Sequence, residues 1–393
     1  MAKIKKETKK TNNKFRGAAY DDTNTVDCEG KAMPTLSLCM IVKDEEQVLA
    51  RCLDSVRKAV DEIIIVDTGS TDQTKAIARK YTKALYDFKW IDDFSAARNF
   101  SFSKATMDYL LWLDADDILT PENLRALLDL KHHFPPDTDV VMMKYETAFD
   151  EDGNVTFSYY RERIVRRSLP PLWKGRVHEA IETGGKRLYA DIAVTHRSIK
   201  TSYSDRNLRI YEKQIESGEP FSPRDAFYYG RELYYHRRYR CATAILEDFL
   251  NDAAGWVENK IGACGILAAC HVALGREEQA LYDLIRSFQF DTPRAEICCE
   301  IGNIFLRQKR YSQAIFWFEL ARTRRPAAEN GGFCNLDSYG FLPCIQLCVC
   351  YDRIGDRARA EQYNTMAGKF RPHASAYLYN VRYFAQEAQN ASR

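Results

Sequence analysis

The first half of the chain alternates short apolar runs with segments whose apolar residues recur at helical spacing. Four runs predict strands: LSLCMIV (36–42), DEIIIVD (61–67), ALYDFKW (84–90) and YLLWLDADD (109–117). The segments between them predict helices over 45–60, 70–81 and 95–106, the second capped by Ser70 or Thr71. This β-α-β-α-β-α-β order predicts an α/β fold with a mainly parallel, Rossmann-like sheet between helices.

Acidic residues follow three of the four predicted strands: KDEE (43–46), DTGSTD (67–72) and DADD (114–117). Ligands of parallel sheets bind beyond the carboxyl ends of the strands, so we expect these acids at one edge. Two carboxylates two positions apart can reach one cation, and Asp114 and Asp116 therefore predict a site for Mg²⁺ or Mn²⁺ beside substrate phosphates. An acidic loop that caps the next helix is the structural alternative.

Four further residues strengthen the prediction of a binding site at this edge. Asp67 could accept from the imino group of a base such as uracil, or only shape the DTGS turn. Arg98 could pair with Asp114 or with a diphosphate. His178 and His196 lie outside apolar stripes, and either could complete a metal site. The basic segment 161–176 is either a diphosphate- or acceptor-facing loop or a solvated strand.

The second half, from about residue 225, repeats a helical pattern. Residues 300–326 have the small, aromatic and proline positions of a tetratricopeptide repeat. Ala280 lies 34 residues before Ala314, which is the length of that repeat, and Ala242 and Ala360 extend the series at longer gaps. Small residues let paired helices approach closely, so we expect a superhelix with a concave face.

These patterns predict a disordered, lysine-rich tail over 1–33, an α/β domain over 34–205 and a helical repeat domain over 206–393. The net charge of +2 indicates neither nucleic acid nor an anionic membrane as a partner. No apolar run approaches the ~20 residues of a membrane span. Because no secretion signal is evident, the twelve cysteines are expected to be reduced thiols in the cytoplasm.

Residues 35–81, FSAARN (94–99) and WLDADD (112–117) together resemble glycosyltransferase family 2, the inverting enzymes with the GT-A fold. The resemblance covers residues 35–200. With its repeats and the segment WKGRVHE (173–179), the chain is similar to a bacterial subgroup that includes the peptide S-glycosyltransferases of the glycocin type. This resemblance implies a metal-dependent, hexosyltransferase-type enzyme that moves a sugar from a nucleotide-diphospho-sugar, UDP-linked in our interpretation, to a protein or peptide.

The resemblance also assigns roles by position. The nucleotide-sugar would contact Val42, Asp44, Glu45, Asp67, Asp72, Arg98 and Asp114. The metal, Mn²⁺ or Mg²⁺, would be bound by Asp114, Asp116 and His196. The general base would be Glu179, with His178 and then Asp117 as alternatives. If residues 178 and 179 are extended, their side chains point to opposite faces.

Other functions stay open at this point. The acceptor could instead be an envelope glycan or a lipid-linked sugar, although no amphipathic basic helix favours a lipid. The chain could also be a tetratricopeptide adaptor with a decayed transferase domain, which the intact Asp67, Arg98 and DADD segment disfavour. The repeats themselves are equally consistent with binding of the acceptor and with formation of a homodimer.

Overall fold

The computed structural model describes residues 33–169, 172–199, 203–326 and 332–391. Apart from Met33, the predicted disordered tail lies outside these ranges, and so does most of the insertion ENGGF (329–333). The prediction of disorder over 1–33 therefore stays a prediction.

A nine-stranded sheet occupies the first half of the chain. Its strands are β1 (Leu36–Val42), β2 (Glu62–Asp67), β3 (Leu85–Asp87), β4 (Tyr109–Trp112), β5 (Asp117–Ile118), β6 (Val140–Phe149), β7 (Val155–Arg166), β10 (Arg187–His196) and β11 (Cys334–Asn335). A separate ribbon pairs β8 (Leu172–Lys174) with β9 (Ala180–Glu182). The strand order is β3-β2-β1-β4-β7-β6-β10-β5, and β11 pairs with β7.

The sheet is mixed but mostly parallel. Strands β3, β2, β1 and β4 are parallel neighbours, and β10 is parallel to β6. Strand β7 runs antiparallel to both β4 and β6, and β5 runs antiparallel to β10. The predicted α/β fold class is confirmed, and the carboxyl ends of β1, β2 and β4 meet at one edge as expected.

Helices cover both faces of this sheet. They are α1 (Leu49–Val56), α2 (Thr74–Ala78), α3 (Phe94–Phe102) and α4 (Pro121–His132). Alternate residues of β1 enter different cores: Leu38 and Met40 pack with α1, α2 and α4, whereas Cys39 packs with α3 and Trp173. This alternation follows from the two-residue repeat of a strand that is buried on both faces.

The predicted cap of α2 was wrong. The helix begins at Thr74, and its first turn has no side-chain cap from Ser70 or Thr71. Both residues are bound to the loop after β1 instead. The backbone N–H of Asp44 donates to Ser70 Oγ at 3.0 Å, and the backbone N–H of Thr71 donates to Asp44 Oδ1 at 2.7 Å.

The second half is helical, as predicted. It contains α5 (Arg206–Glu216), α6 (Pro223–Tyr235), α7 (Tyr239–Asn251), α8 (Val257–Ala273), α9 (Glu277–Arg286), α10 (Ala295–Arg307), α11 (Tyr311–Arg322), α12 (Phe341–Arg353), α13 (Arg357–Phe370) and α14 (Ser375–Ala391). The four predicted small positions, Ala242, Ala280, Ala314 and Ala360, are fully buried on α7, α9, α11 and α13. Each therefore lies on the second helix of a pair, where repeats require close approach.

The helical half contacts the sheet at widely separated points of its sequence. Strand β11 pairs with β7, and the ring of Phe333 stacks on Phe157 at 6.0 Å between centroids. After α13, Arg371 forms ion pairs with Glu151 and Asp150 at the turn between β6 and β7. The superhelix therefore returns to the sheet instead of extending away from it.

The small residues of the repeats give a stability prediction. A Cβ on Gly302 of α10 would lie 2.7 Å from the buried ring of Phe318 on α11. We expect Gly302→Ala to lower the free energy of unfolding by about 1–3 kcal/mol through overpacking. A Cβ on Gly265 of α8 would meet open space. Gly265→Ala should therefore raise it by up to about 1 kcal/mol through helix propensity. Denaturant titrations measure both, and equal stability of the two variants would contradict this packing.

Candidate active site

A cavity of about 730 Å³ lies at the carboxyl ends of β1, β2 and β4. Most of the predicted site residues line it: Val42, Asp44, Glu45, Arg98, Asp114, Asp116, His178 and Glu179. Four predicted residues do not line it: Asp67, Asp72, Asp117 and His196. The fold thus brings acids from separate strand ends to one cavity, together with a segment that lies more than sixty residues later.

Arg98 bridges two carboxylates in the wall of this cavity. Asp93 is the N-cap of helix α3, and its side chain accepts from the backbone N–H of Ala96. This places Arg98 so that Nη2 donates to Asp114 Oδ1 at 2.7 Å and Nε to Glu179 Oε1 at 2.5 Å. Its guanidinium lies 4.9 Å from the ring centroids of both Trp112 and Trp173. The bridge ties the end of β4 to the 176–179 segment.

The charge of this bridge affects the acid beside it. Burial alone would raise the pKa of Asp114, but the neighbouring guanidinium groups of Arg98 and Arg163 outweigh it and hold the pKa below its usual value. Asp114 is therefore an anion in the folded protein.

Asp117 lies behind the cavity wall. It is fully buried, and Oδ2 accepts from Arg163 Nη1 at 3.1 Å and from the backbone of Asp114 at 3.0 Å. Its Oδ1 accepts from the Tyr145 hydroxyl at 2.9 Å. Because both oxygens are bound and the side chain does not line the cavity, Asp117 has the weakest geometry of the three base candidates.

One group of residues has the arrangement of a metal site. Asp116, Asp117 and His196 each offer a ligand atom, and these atoms lie within 4.8 Å of one another. His196 Nδ1 is 3.5 Å from Asp116 Oδ1 and 3.5 Å from Asp117 Oδ1. Burial raises the pKa of the Asp116 carboxyl, so this carboxylate would gain from a nearby cation. Two carboxylates and an imidazole fit Mn²⁺. They fit Mg²⁺ less well, because Mg²⁺ has a weaker preference for nitrogen ligands.

Membership of this group differs from our prediction. Asp116 and His196 belong to it, as expected from the sequence. Asp114 lies outside it, because its Oδ1 is bound to Arg98. Asp117, which we considered as a base, belongs to the group instead.

The loops after β1 and β2 are held together by the predicted nucleotide residues. Asp44 Oδ1 accepts from Thr71, while Asp72 accepts from the backbone of Glu46 at 3.1 Å and of Thr74 at 2.9 Å. Asp67 is buried, and its Oδ1 accepts from two backbone groups of the following turn. Within the described ranges, Asp67 Oδ2 has no hydrogen-bond partner. It is thus an unused acceptor, on a buried side chain that does not line the cavity.

His178 connects the cavity to the helical half. Its φ of 51° shows that the segment turns at this residue, so the two-sided arrangement expected of an extended segment does not apply. His178 Nε2 lies 2.8 Å from Glu232 Oε1 of α6, and its ring stacks on Tyr228 at 4.4 Å. Burial lowers the pKa of His178. Glu232 is fully buried and also accepts from the Tyr203 hydroxyl at 2.7 Å.

Comparison with known proteins now identifies the first half. Residues 37–190 match the model of the family described as glycosyl transferase family 2. The chain contains a glycosyltransferase family 2 domain. This confirms the resemblance inferred from the sequence motifs. Among the described helices, none combines the length and the apolar character needed to cross a membrane.

Two relatives match shares of the chain that differ in length. The SPbeta prophage-derived glycosyltransferase SunS of Bacillus subtilis is 26% identical over 275 residues, which is 66% of this chain and 61% of that protein. A TPR repeat-containing protein of Synechococcus elongatus is 52% identical over 156 residues, 39% of this chain and 37% of that protein. The chain therefore spans less than two thirds of either relative.

A solved structure of lower similarity also aligns. It is glucosyl-3-phosphoglycerate synthase from Mycobacterium tuberculosis with Mn²⁺ and uridine-diphosphate-glucose, at 15% identity and a TM-score of 0.32 over 48% of this chain and 81% of that one.

Several residues of the family 2 domain's site were not predicted individually. Arg161 lines the cavity and Arg163 lies behind it, and both come from β7 within the basic segment 161–176. Their two-residue spacing places them on one face of the strand, which is the signal that the sequence offered. Tyr145 on β6 and Arg206 on α5 had no such signal, because only the tertiary fold brings them to this edge.

The bridge at Arg98 predicts a large effect on stability. The side chain of Arg98 is 9% exposed and that of Glu179 is 10% exposed. We expect Arg98→Met to lower the free energy of unfolding by about 3–5 kcal/mol, because it leaves the buried carboxylate of Glu179 without a cation. Adding Glu179→Gln should restore part of this loss.

A matched control is Arg125→Met, in a pair with Glu122 whose side chains are 65% and 72% exposed. It should cost less than about 1 kcal/mol. Chemical denaturation of the four proteins measures these differences. Equal losses for Arg98→Met and Arg125→Met would show that the bridge does not stabilise the site.

Proposed function

We propose that this protein is an inverting, metal-dependent glycosyltransferase that moves a sugar from a nucleotide-diphospho-sugar to a protein or peptide. The observation that carries the proposal is the cavity in which the strand-end acids of the family 2 domain, Asp116 among them, meet Arg98, with His196 next to Asp116. A site of this composition suits a ligand that is both anionic and accompanied by a cation.

In this proposal the nucleotide lies against the ends of β1 and β2. Val42, Asp44 and Glu45 line the cavity there, and Asp72 holds the two loops together. The unpartnered Asp67 Oδ2 would accept the imino N–H of a base, which favours a uracil nucleotide. Asp114, held by Arg98, would contact the ribose.

Asp116 and His196 would hold Mn²⁺ or Mg²⁺, and Asp117 lies beside them, with Oδ1 3.5 Å from His196 Nδ1. The ion supplies positive charge that stabilises the departing diphosphate. Hydrogen bonding to Asp117 raises the pKa of His196, so the imidazole holds a proton more strongly than usual. A cation would therefore compete with a proton at this imidazole.

Glu179 remains our candidate for the general base. Its Oε1 accepts from Arg98, and Oε2 is the atom proposed to take the proton of the acceptor. His178 is less suited, because Glu232 engages its Nε2, and Asp117 does not reach the cavity. If the acceptor is a thiol, it ionises near pH 8.5 unaided, and the base contributes less.

The acceptor is proposed to reach the site along the helical half. A second cavity, of about 670 Å³, lies on α8 and α10, and Phe157 of β7 forms part of its lining. Apolar residues line it together with the acids Glu258, Glu296 and Glu300 and the arginines Arg294 and Arg307. Its position beside the sheet suits a peptide that extends toward the family 2 domain.

We also propose limits for the two domains, a location for the protein and an alternative role for the helical half. We propose domain limits at 34–205 and 206–393, since the last strand before the helices ends at His196 and α5 begins at Arg206. We propose a cytoplasmic location, where thiols stay reduced, because none of the eleven described cysteines forms a disulfide. A homodimer built through the repeats is the alternative use of the helical half.

The test of donor binding is thermal denaturation with UDP, GDP, CDP and dTDP, each with and without Mn²⁺. A ligand that binds only the folded state raises stability by roughly 2.7 kcal/mol at a hundredfold excess over Kd. We expect a manganese-dependent shift with UDP. The absence of a shift with every nucleotide would favour the adaptor with a decayed transferase domain.

The acceptor requires a separate measurement of sugar transfer. Transfer to a glycan but to no peptide would favour the envelope-directed alternative.

Asp116→Asn tests the metal site directly. We expect manganese-dependent release of UDP from UDP-sugars to fall to background, because a ligand is lost. The metal-free protein should be as stable as the wild type or more so, since burial raises the pKa of Asp116 and makes its charge unfavourable.

Asp191→Asn is the matched control for this substitution. Asp191 lies on β10, as His196 does, but its side chain is 94% exposed and paired with Lys144. Both the release of UDP and the thermal midpoint should stay unchanged in this variant. Persistent turnover in Asp116→Asn would mean that the DADD carboxylates have only a structural role.

A further inference from the structure

The first helix of the helical half reaches into the candidate active site. Arg206, Asn207 and Arg209 of α5 line the same cavity as the strand-end acids of the family 2 domain. Tyr211 of the same helix donates from its hydroxyl to the carbonyl of Val177 at 3.3 Å, next to His178 and Glu179. The cavity is therefore built by both halves of the chain.

Five cations line this cavity: Lys43, Arg98, Arg161, Arg206 and Arg209. Arg98 is bound to Asp114 and Glu179, and Arg209 pairs with Asp205 at 3.4 Å. Arg161 donates to the Glu179 carbonyl at 3.3 Å and lies over the ring of Trp112. These three guanidinium groups are committed to protein partners.

Arg206 differs from them. In the part of the chain that the structure describes, no hydrogen bond or ion pair engages its guanidinium, which lies 4.6 Å from the ring centroid of Phe94. Burial lowers the pKa of Arg206, while Glu179, Asp114 and Glu45 act on it through space. The cation is thus close to the site's acids and bonded to none of them.

We propose that Arg206 binds the diphosphate of the donor and stabilises the charge that develops as the sugar leaves. This rests on the proposed function. A planar guanidinium suits phosphate oxygens because it donates two parallel hydrogen bonds. Arg206 approaches from the helical half, whereas Asp116 and His196 lie at the edge of the sheet. The diphosphate would therefore be held from two sides.

Transfer of the sugar from the diphosphate to the acceptor needs no further reagent. The bond between the anomeric carbon and the diphosphate oxygen breaks, and its electron pair stays on that oxygen. The acceptor atom forms the new bond to the anomeric carbon, and its proton passes to Glu179. Arg206 contributes by hydrogen bonding to the oxygen on which negative charge accumulates. The helical half is therefore part of the donor site and not only a surface for the acceptor.

The test compares UDP with uridine, because uridine lacks the diphosphate that Arg206 would bind. Calorimetric titrations with Mn²⁺ use the full chain and its variant Arg206→Gln. We expect UDP affinity to fall by about tenfold or more and uridine affinity to stay the same. Arg206→Lys keeps the charge and should recover part of the loss. The matched control is Arg240→Gln, an exposed arginine of α7 outside the cavity, which should bind both ligands as the wild type does.

Other results would overturn the inference. Unchanged UDP affinity in Arg206→Gln would show that the guanidinium does not contact the diphosphate. Equal loss of UDP and uridine affinity, with no recovery in Arg206→Lys, would show a general disturbance of the cavity. If the wild-type chain itself binds none of UDP, GDP, CDP and dTDP, the proposed function fails before the variants are compared.

Discussion

The guanidinium of Arg98 is the contact on which the candidate site depends. A buried cation is tolerated only where carboxylates compensate its charge and hydrogen bonds satisfy its donors. Asp114 and Glu179 do both, and the rings of Trp112 and Trp173, which contact each other, both lie 4.9 Å from the guanidinium. Because these residues come from β4 and from the segment after β8, the pairing fixes the distance between the sheet edge and the candidate base.

The same constraint extends into the helical half. Next to Glu179, His178 contacts Glu232 and Tyr228 of α6, and Arg224 donates to its carbonyl at 2.8 Å. Glu232 is fully buried, so its carboxylate depends on the hydrogen bonds with His178 and the Tyr203 hydroxyl. The path from Asp114 through Arg98, Glu179 and His178 to Glu232 is continuous. The contacts that pack the repeats against the sheet therefore also determine the geometry of the cavity. This agrees with the finding that a helix of the helical half lines the cavity.

The sequence predicted the parts of the fold that depend on local patterns. Strand β1 has the predicted limits because its apolar run is bounded by polar residues, and the alanines of the repeats lie where their spacing placed them. The reversed direction of β7 and the cap of α2 were not predictable in this way. Both depend on partners distant in sequence, such as Asp44, which engages the residues that would have capped the helix.

The acids of the DADD segment show where such reasoning stops. Two-residue alternation predicts that Asp114 and Asp116 point the same way, but β4 ends at Trp112, and the acids occupy a turn closed by a hydrogen bond from Asp117 N to Asp114 O. Asp114 therefore faces Arg98, whereas Asp116 faces His196. Arg163 and Tyr145, which hold Asp117, reach the turn from strands formed much later in the chain.

We propose that this cavity binds a nucleotide diphosphate and a cation between the sheet edge and α5. A crystal structure of the full chain grown with UDP and Mn²⁺ tests it most directly, because manganese is located by its anomalous scattering. We expect a manganese peak at ligand distance from Asp116 and His196, with the diphosphate between the ion and Arg206. A manganese peak away from these residues, or a nucleotide bound outside the cavity, would contradict it.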